Sequence, residues 1–234
     1  MRRFILNKIK KIKKFLIYLK SNWGEIRLLL LSSKSLLPWN NSTKDQIPWI
    51  TFEAFKWLEK YLKSDMIVFE YGSGGSTLFF QKYVKKIISI EHNRIWYKKM
   101  LELLKKKNLF FNSYFLIEPE KLLKRNNKKK DNYQSTHKTY SNMTFKKYVN
   151  SIDKYPQKYF DVIFIDGRAR ISCFKKSITK IRQEGIIILD NSQRKRYQES
   201  LSLFNKYKRI DFYGFGPYRF TPWQTSVWFI NNSD

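Results

Sequence analysis

From Pro48 onward the sequence alternates short apolar runs with helical segments, and that alternation admits few folds. The runs MIVFE (66–70), IISIE (87–91), FFNSYFLI (110–117), DVIFID (161–166) and GIIILD (185–190) are rich in β-branched or aromatic residues, and several end in a carboxylate. Helical patterns fill the intervals at 76–84, 94–107, 143–153 and 171–183. Strands apolar on both faces and separated by helices predict a doubly wound parallel sheet with right-handed crossovers. After a further helix over 194–207, RIDFY (209–213) and TSVWFI (225–230) flank the loop GFGPYRFTPWQ (214–224). That pattern predicts an antiparallel pair closing the sheet. The expected class is α/β, mostly parallel, with residues 46–234 forming the domain and residues 1–45 a helical extension.

The extension is basic. Ile5, Ile9, Ile12, Leu16 and Leu19 fall at four- and three-residue steps, one apolar stripe on a helix otherwise filled by lysines. Lys13, Lys14 and Lys20 interrupt every apolar run well short of a membrane span. No unbroken apolar core or small-residue cleavage site follows, which argues against a secretory signal. Two readings stand: a helix lying on an anionic membrane, or one packed on its own domain. A cytoplasmic, or membrane-peripheral, location is expected. The single cysteine, Cys173, cannot form an internal disulfide, and with two histidines in the chain a His/Cys zinc site is excluded. Across 234 residues, 47 Lys+Arg against 19 Asp+Glu give a net charge of +28. The excess points to an anionic partner, nucleic acid or membrane, or to a compositional bias toward lysine.

The stretch FEYGSGGST (69–77) follows the first strand and precedes a helix, the context of a ligand-cradling turn. Gly72 and Gly74 would let the chain turn and a ligand approach the backbone. Glu91 ends the second strand 21 residues after Glu70, close to the interval at which an acid meets ribose hydroxyls. Glu70 separates two ligands. A dinucleotide would bring pyrophosphate to this turn, where a carboxylate is unfavourable; a ligand with ammonium, sulfonium and hydroxyl groups tolerates it. The stretch resembles motif I of the class I S-adenosylmethionine-dependent methyltransferases, and IISIEHN (87–93) resembles their acidic second motif. The resemblance covers residues 46–234 and implies a Rossmann-like, seven-stranded sheet closed by an antiparallel hairpin. It also implies S-adenosyl-L-methionine as cofactor, held by Glu70, Gly72, Ser73, Gly74, Ser76, Thr77, Glu91 and His92, with Trp96 and Tyr97 as core or adenine-pocket wall.

FIDGRAR (164–170) and ILDNSQR (188–194) place Asp166, Asp190 and Asn191 at the carboxyl ends of adjacent strands. Two carboxylates and an amide oxygen suit Mg²⁺, and the set is similar to that of catechol-type O-methyltransferases. The match is incomplete, because Ala169 stands where that group carries a lysine. The alternative is that Asp166 orients a reactant while Asp190 and Asn191 cap the next helix. Arg168 and Arg170, with Asp190 and Asn191, are candidate substrate-binding residues, since guanidinium grips carboxylate or phosphate. Asp166 is the candidate catalytic residue. The implied reaction is methyl transfer to an oxygen of a small-molecule or glycan acceptor. Two other readings remain: an RNA methyltransferase, although DGRA replaces the Asn/Asp-Pro-Pro-Tyr/Phe motif of many base-methylating enzymes, and a non-catalytic membrane- or RNA-associated scaffold.

Overall fold

A computed structural model describes residues 40–109, 112–122 and 133–230, with 13, 16, 17, 20, 21 and 35 as isolated helical positions. The segment 1–20 that carries the expected amphipathic stripe lies outside the described residues except at Lys13, Leu16, Ile17 and Lys20, and the polar, charge-dense stretch KRNNKKKDNYQST (124–136) lies outside them up to residue 132. Among the described residues no helix is long and apolar enough to cross a membrane.

The chain enters through α1 (Ser42–Asp45), which Asn41 caps by accepting from the Lys44 amide, and α2 (Phe52–Tyr61). Strict alternation follows: β1 (Ile67–Tyr71), α3 (Gly75–Tyr83), β2 (Lys86–Glu91), α4 (Arg94–Lys106) and β3 (Tyr114–Leu116). A two-stranded excursion, β4 (Glu120–Lys121) against β5 (Met143–Thr144), leads into α5 (Lys146–Asn150). Alternation resumes with β6 (Phe160–Ile165), α6 (Arg170–Ser177), β7 (Ile181–Asp190) and α7 (Lys195–Ser202), and β8 (Lys208–Gly216) and β9 (Arg219–Ile230) close the sheet.

The seven strands run in the order β3-β2-β1-β6-β7-β9-β8. β1 pairs in parallel with both β2 and β6, and β9 lies antiparallel between β7 and β8. The chain reverses its direction of travel between β1 and β6, so a crevice opens there at the strands' carboxyl ends. This is the expected α/β, Rossmann-like sheet with its antiparallel hairpin.

Side-chain alternation splits the core into two faces. Phe69, Tyr71, Ile163, Ile165, Ile187 and Leu189 point to one, covered by Tyr148, Phe174 and Trp228. Val68, Val162, Phe164, Ile186 and Ile188 point to the other, against Phe55, Leu58, Phe79 and Phe80. Each such buried side chain contributes about 1.5–3 kcal/mol of apolar transfer, so continuous apolar strands sandwiched by helices are the stable solution.

Several element boundaries differ from the sequence expectation. The helix expected over 171–183 ends at Ser177, because Ile181 pairs with Phe160 and joins the sheet. The helix expected over 143–153 divides into β5, α5 and a 3₁₀ turn at Ser151–Lys154. The helix over 194–207 is shorter, ending at Ser202, and among the described residues of FFNSYFLI only Tyr114–Leu116 is strand. The segment 214–224 is mostly strand rather than loop: Gly216 pairs with Arg219 and Gly214 with Trp223, leaving Pro217 and Tyr218 as the turn.

Candidate active site

At the switch point the loops after β1 and β6 touch backbone to backbone. Gly72 takes φ +97°, and a Cβ there would lie 2.7 Å from Cα and N of Gly167. Only glycine allows both the conformation and that approach. The Gly72 amide donates to Ile90 O at 2.9 Å and the Asp166 amide to Tyr71 O at 3.0 Å, tying the turn to both neighbouring strand ends. Gly75 serves a different contact. Its missing Cβ would stand 2.1 Å from Ser42 O and 2.3 Å from Ile47 O, so the segment bearing α1 lies directly on the start of α3.

Glu70 does not line the cleft. It shares the strand parity of Val68, points to the face covered by α3, and is fully buried. The hydroxyls of Ser76, Thr77 and Ser89 donate to it at 2.5, 2.6 and 2.5 Å. Ser76 and Thr77 are buried with it, and the Gly74 amide donates to Thr77 Oγ1 at 3.0 Å. Glu70, Gly74, Ser76 and Thr77 therefore brace the turn from beneath. The side chains of Glu70, Ser76 and Thr77 are spent on one another, while a Cβ on Gly74 would meet nothing within 4 Å.

Glu91 does line the crevice, together with Gly72, Ser73 and His92. Its Oε2 accepts from the Ser73 amide and hydroxyl at 3.1 and 2.9 Å, and its Oε1 from the His92 and Asn93 amides, both at 2.8 Å. Burial alone would push its carboxyl up. Hydrogen bonding and charge from His92, with the Asn93 amide and Ser73, reverse this and hold it below the usual carboxylate range. A fixed anion at the end of β2 suits a ligand presenting paired hydroxyl donors. The Ser73 hydroxyl also lies 2.8 Å from Tyr114 OH, and the Trp96 indole donates to Ser73 O at 2.9 Å. The His92 ring packs edge-on against Tyr140, Phe145 and Tyr148.

On the opposite wall stand Asp166, Arg168, Arg170, Asp190 and Asn191. Arg170 spends its whole fork internally. Nε donates to Gly167 O at 3.0 Å, Nη1 to Asp190 O at 2.5 Å, and Nη2 to Asp166 O at 2.7 Å. The same group lies 2.6 Å from Asp166 Oδ1 and 3.4 Å from Asp190 Oδ2. Arg170 is thus a clamp between two strand ends that also lines the cleft.

The donor set does not fit a divalent ion. A guanidinium occupies the space between the carboxylates of Asp166 and Asp190. Asp190 is buried and saturated by Trp223 Nε1 at 2.7 Å, Thr225 Oγ1 at 2.8 Å and Asn191 Nδ2 at 2.5 Å. Asn191 Oδ1 accepts from Arg194. Among the described residues no group of three or more His, Cys, Asp or Glu side chains could hold a metal. The Mg²⁺ expectation gives way to this clamp, and Asp190 and Asn191 remain on the cleft wall with these internal partners. Asp166 differs from Asp190: its side chain keeps 27% of its surface exposed to the cleft. Burial lifts its carboxyl above the ordinary range despite Arg170, and Asp190 adds to the rise.

The cleft has a volume of about 510 Å³, within the size range of small-molecule sites. Sequence reasoning missed part of its wall: Trp49, Tyr140, Arg219 and Trp223. Trp49 is 45% exposed and meets Tyr218 edge-on at 5.9 Å, while Arg219 lies over the Trp223 ring at 5.4 Å. The only local signal was the aromatic density of 217–223, which lies in the segment expected to be loop.

No family model and no curated protein matches the sequence. Solved structures do match. A methyltransferase-like protein from Silicibacter pomeroyi superposes with a TM-score of 0.52 at 18% identity, over 80% of this chain and 91% of its own. An rRNA methylase from Streptococcus thermophilus gives 0.51 at 12% identity, over 76% and 95%. Precorrin-6y C5,15-methyltransferase from Geobacter metallireducens gives 0.50 at 13% identity, over 80% and 95%. The chain has the fold of the class I S-adenosylmethionine-dependent methyltransferases.

Proposed function

We propose that the protein is an S-adenosylmethionine-dependent methyltransferase acting on an oxygen of a small-molecule or glycan acceptor. One observation carries the reading: Glu91 and Asp166, two carboxylates of contrasting environment, face each other in one cleft across the Gly72–Gly167 contact. Glu91 is held ionised, and a ribose diol reaches it by taking the place of the Ser73 hydroxyl, which can turn to Tyr114, while the backbone around Gly72 and Ser73 admits the rest of the donor. When bound, that donor supplies an electrophilic methyl group.

This chain's residues do the remainder. Asp166 accepts the proton of the acceptor hydroxyl, and its raised proton affinity suits it to that task. Arg170 fixes the orientation of its carboxylate, so the geometry is set before the acceptor arrives. Arg168 and Arg219, basic groups on the cleft wall, favour an acceptor that carries negative charge, and the exposed face of Trp49 offers a flat apolar platform for a sugar ring.

Calorimetry with S-adenosylhomocysteine and, separately, NADH tests the ligand class. The nucleoside thioether is expected to bind and NADH not to; the reverse order would replace the reading with an oxidoreductase. Asp166→Asn is expected to lower turnover far more than donor affinity, because the proton is transferred mainly in the transition state.

A further inference from the structure

A second cleft, of about 790 Å³, adjoins the first and shares Gly167, Arg168 and Arg170 with it. It lies between α6, α7 and the segment 134–137, and Arg168, Arg194 and Arg196 project from its wall. Unlike Arg170, these three form no ion pair among the described residues. Arg194 Nη1 and Arg196 Nη2 donate to one phenol oxygen, Tyr197 OH, at 3.1 and 3.3 Å, and Arg194 also donates to Asn191 Oδ1. Both guanidinium carbons lie over the Tyr197 ring, at 5.7 and 4.8 Å, and Arg168 lies over Tyr140 at 5.6 Å. Glu199, an acid on the same wall, pairs with none of them.

Every hydrogen-bond and ring partner of these cations is neutral, although Arg194 also feels the charge of Asp166. Burial first, then the charges of Arg170 and Arg196, depress the basicity of Arg194 although Tyr197 opposes them. Guanidiniums gathered in a partly desolvated cleft repel one another until an anion enters between them, and their planar forks match the oxygen geometry of phosphate. Three such groups, arriving from the β6–α6 loop and the start of α7, call for more than a single negative charge.

We propose that this second cleft binds a phosphate-class dianion through Arg168, Arg194 and Arg196, and that it holds the phosphorylated arm of the acceptor whose hydroxyl reaches Asp166. The binding site stands on the cleft alone; its link to the acceptor rests on the methyltransferase reading.

Inorganic pyrophosphate titrated calorimetrically into the full chain, at fixed ionic strength, tests the site. Wild type should bind it, and Arg196→Gln alone should weaken binding. Arg194→Gln with Arg196→Gln should weaken it by about tenfold or more, as expected for lost charge-assisted hydrogen bonds. Lys206→Gln with Lys208→Gln removes the same charge away from the cleft and should change nothing. Equal weakening in that control would show diffuse attraction and overturn the site, as would failure of wild type to bind. Citrate binding as tightly as pyrophosphate would overturn the phosphate assignment. Arg196 is exposed, so the single variant keeps the test sound if the double variant misfolds. S-adenosylhomocysteine titrated into the same samples separates the two claims. Pyrophosphate binding without nucleoside binding upholds the anion site and removes the methyltransferase reading; nucleoside binding without pyrophosphate binding does the opposite.

Discussion

Replacing Glu70 with glutamine should flatten the dependence of stability on pH. The carboxyl is fully buried at the end of β1. Burial outweighs the hydroxyl donors Ser76, Ser89 and Thr77, and with Asp166 nearby it pushes the group from 4.5 up to about 7. Between those two values the folded protein keeps a proton that the unfolded chain has released. Stability from this group is therefore fully present below pH 4.5 and is lost as the pH rises through 7. At about 1.4 kcal/mol per pH unit, the window is worth about 3 kcal/mol. Glutamine has nearly the same shape, accepts from two hydroxyls and can donate to the third, and it does not titrate. Denaturant unfolding of both proteins at pH 4.5 and pH 8 measures the effect. The difference in unfolding free energy should move by about 3 kcal/mol in favour of Glu70→Gln across that range. Parallel curves would refute the reasoning. So would a variant that becomes relatively weaker above pH 7, since the hydroxyls would then be holding an ionised carboxylate.

Glu91→Ala should reduce S-adenosylhomocysteine affinity by about 1–3 kcal/mol in calorimetry, the loss of a charged acceptor for paired hydroxyls. Arg170→Ala removes the shared partner of Asp166 and Asp190, and chemical denaturation should show a loss of about 3–5 kcal/mol, as for other broken buried ion pairs. A chain lacking residues 1–39 supplies the reference melting temperature. Extending the deletion through Asp45 should lower it clearly, because buried Thr43 and the 2.6 Å bond from Tyr218 OH to Asp45 go with it.

The sheet was legible because Val162 to Ile165 and Ile186 to Leu189 are apolar at every position, a pattern that only a strand covered on both faces can bury. The end of α6 was not. Ile171, Phe174, Ile178 and Ile181 keep helical spacing, and it is the distant pairing of Ile181 with Phe160 that ends the helix. In the candidate site, the glycine turn and Glu91 were readable from spacing. Glu70 was misplaced although the information was present: it lies two residues from Val68 and must share that residue's face. Arg170 could be read as a grip but not as one already closed on Asp166 and Asp190, because its partners come from two strand ends. Trp49 and Trp223 enter the cleft only through the hairpin and the segment preceding α2, and no local pattern records that meeting.

That meeting also orders events during synthesis. The Thr51 amide donates to Thr225 Oγ1, a partner 174 residues downstream, and Tyr218 reaches back 173 residues to Asp45. The segment carrying Trp49 therefore leaves the ribosome long before the hairpin it docks on exists. Contacts of such sequence separation form slowly and late. Through most of translation the strands made first must keep their apolar face from other chains without that cover, so synthesis opens that face to aggregation.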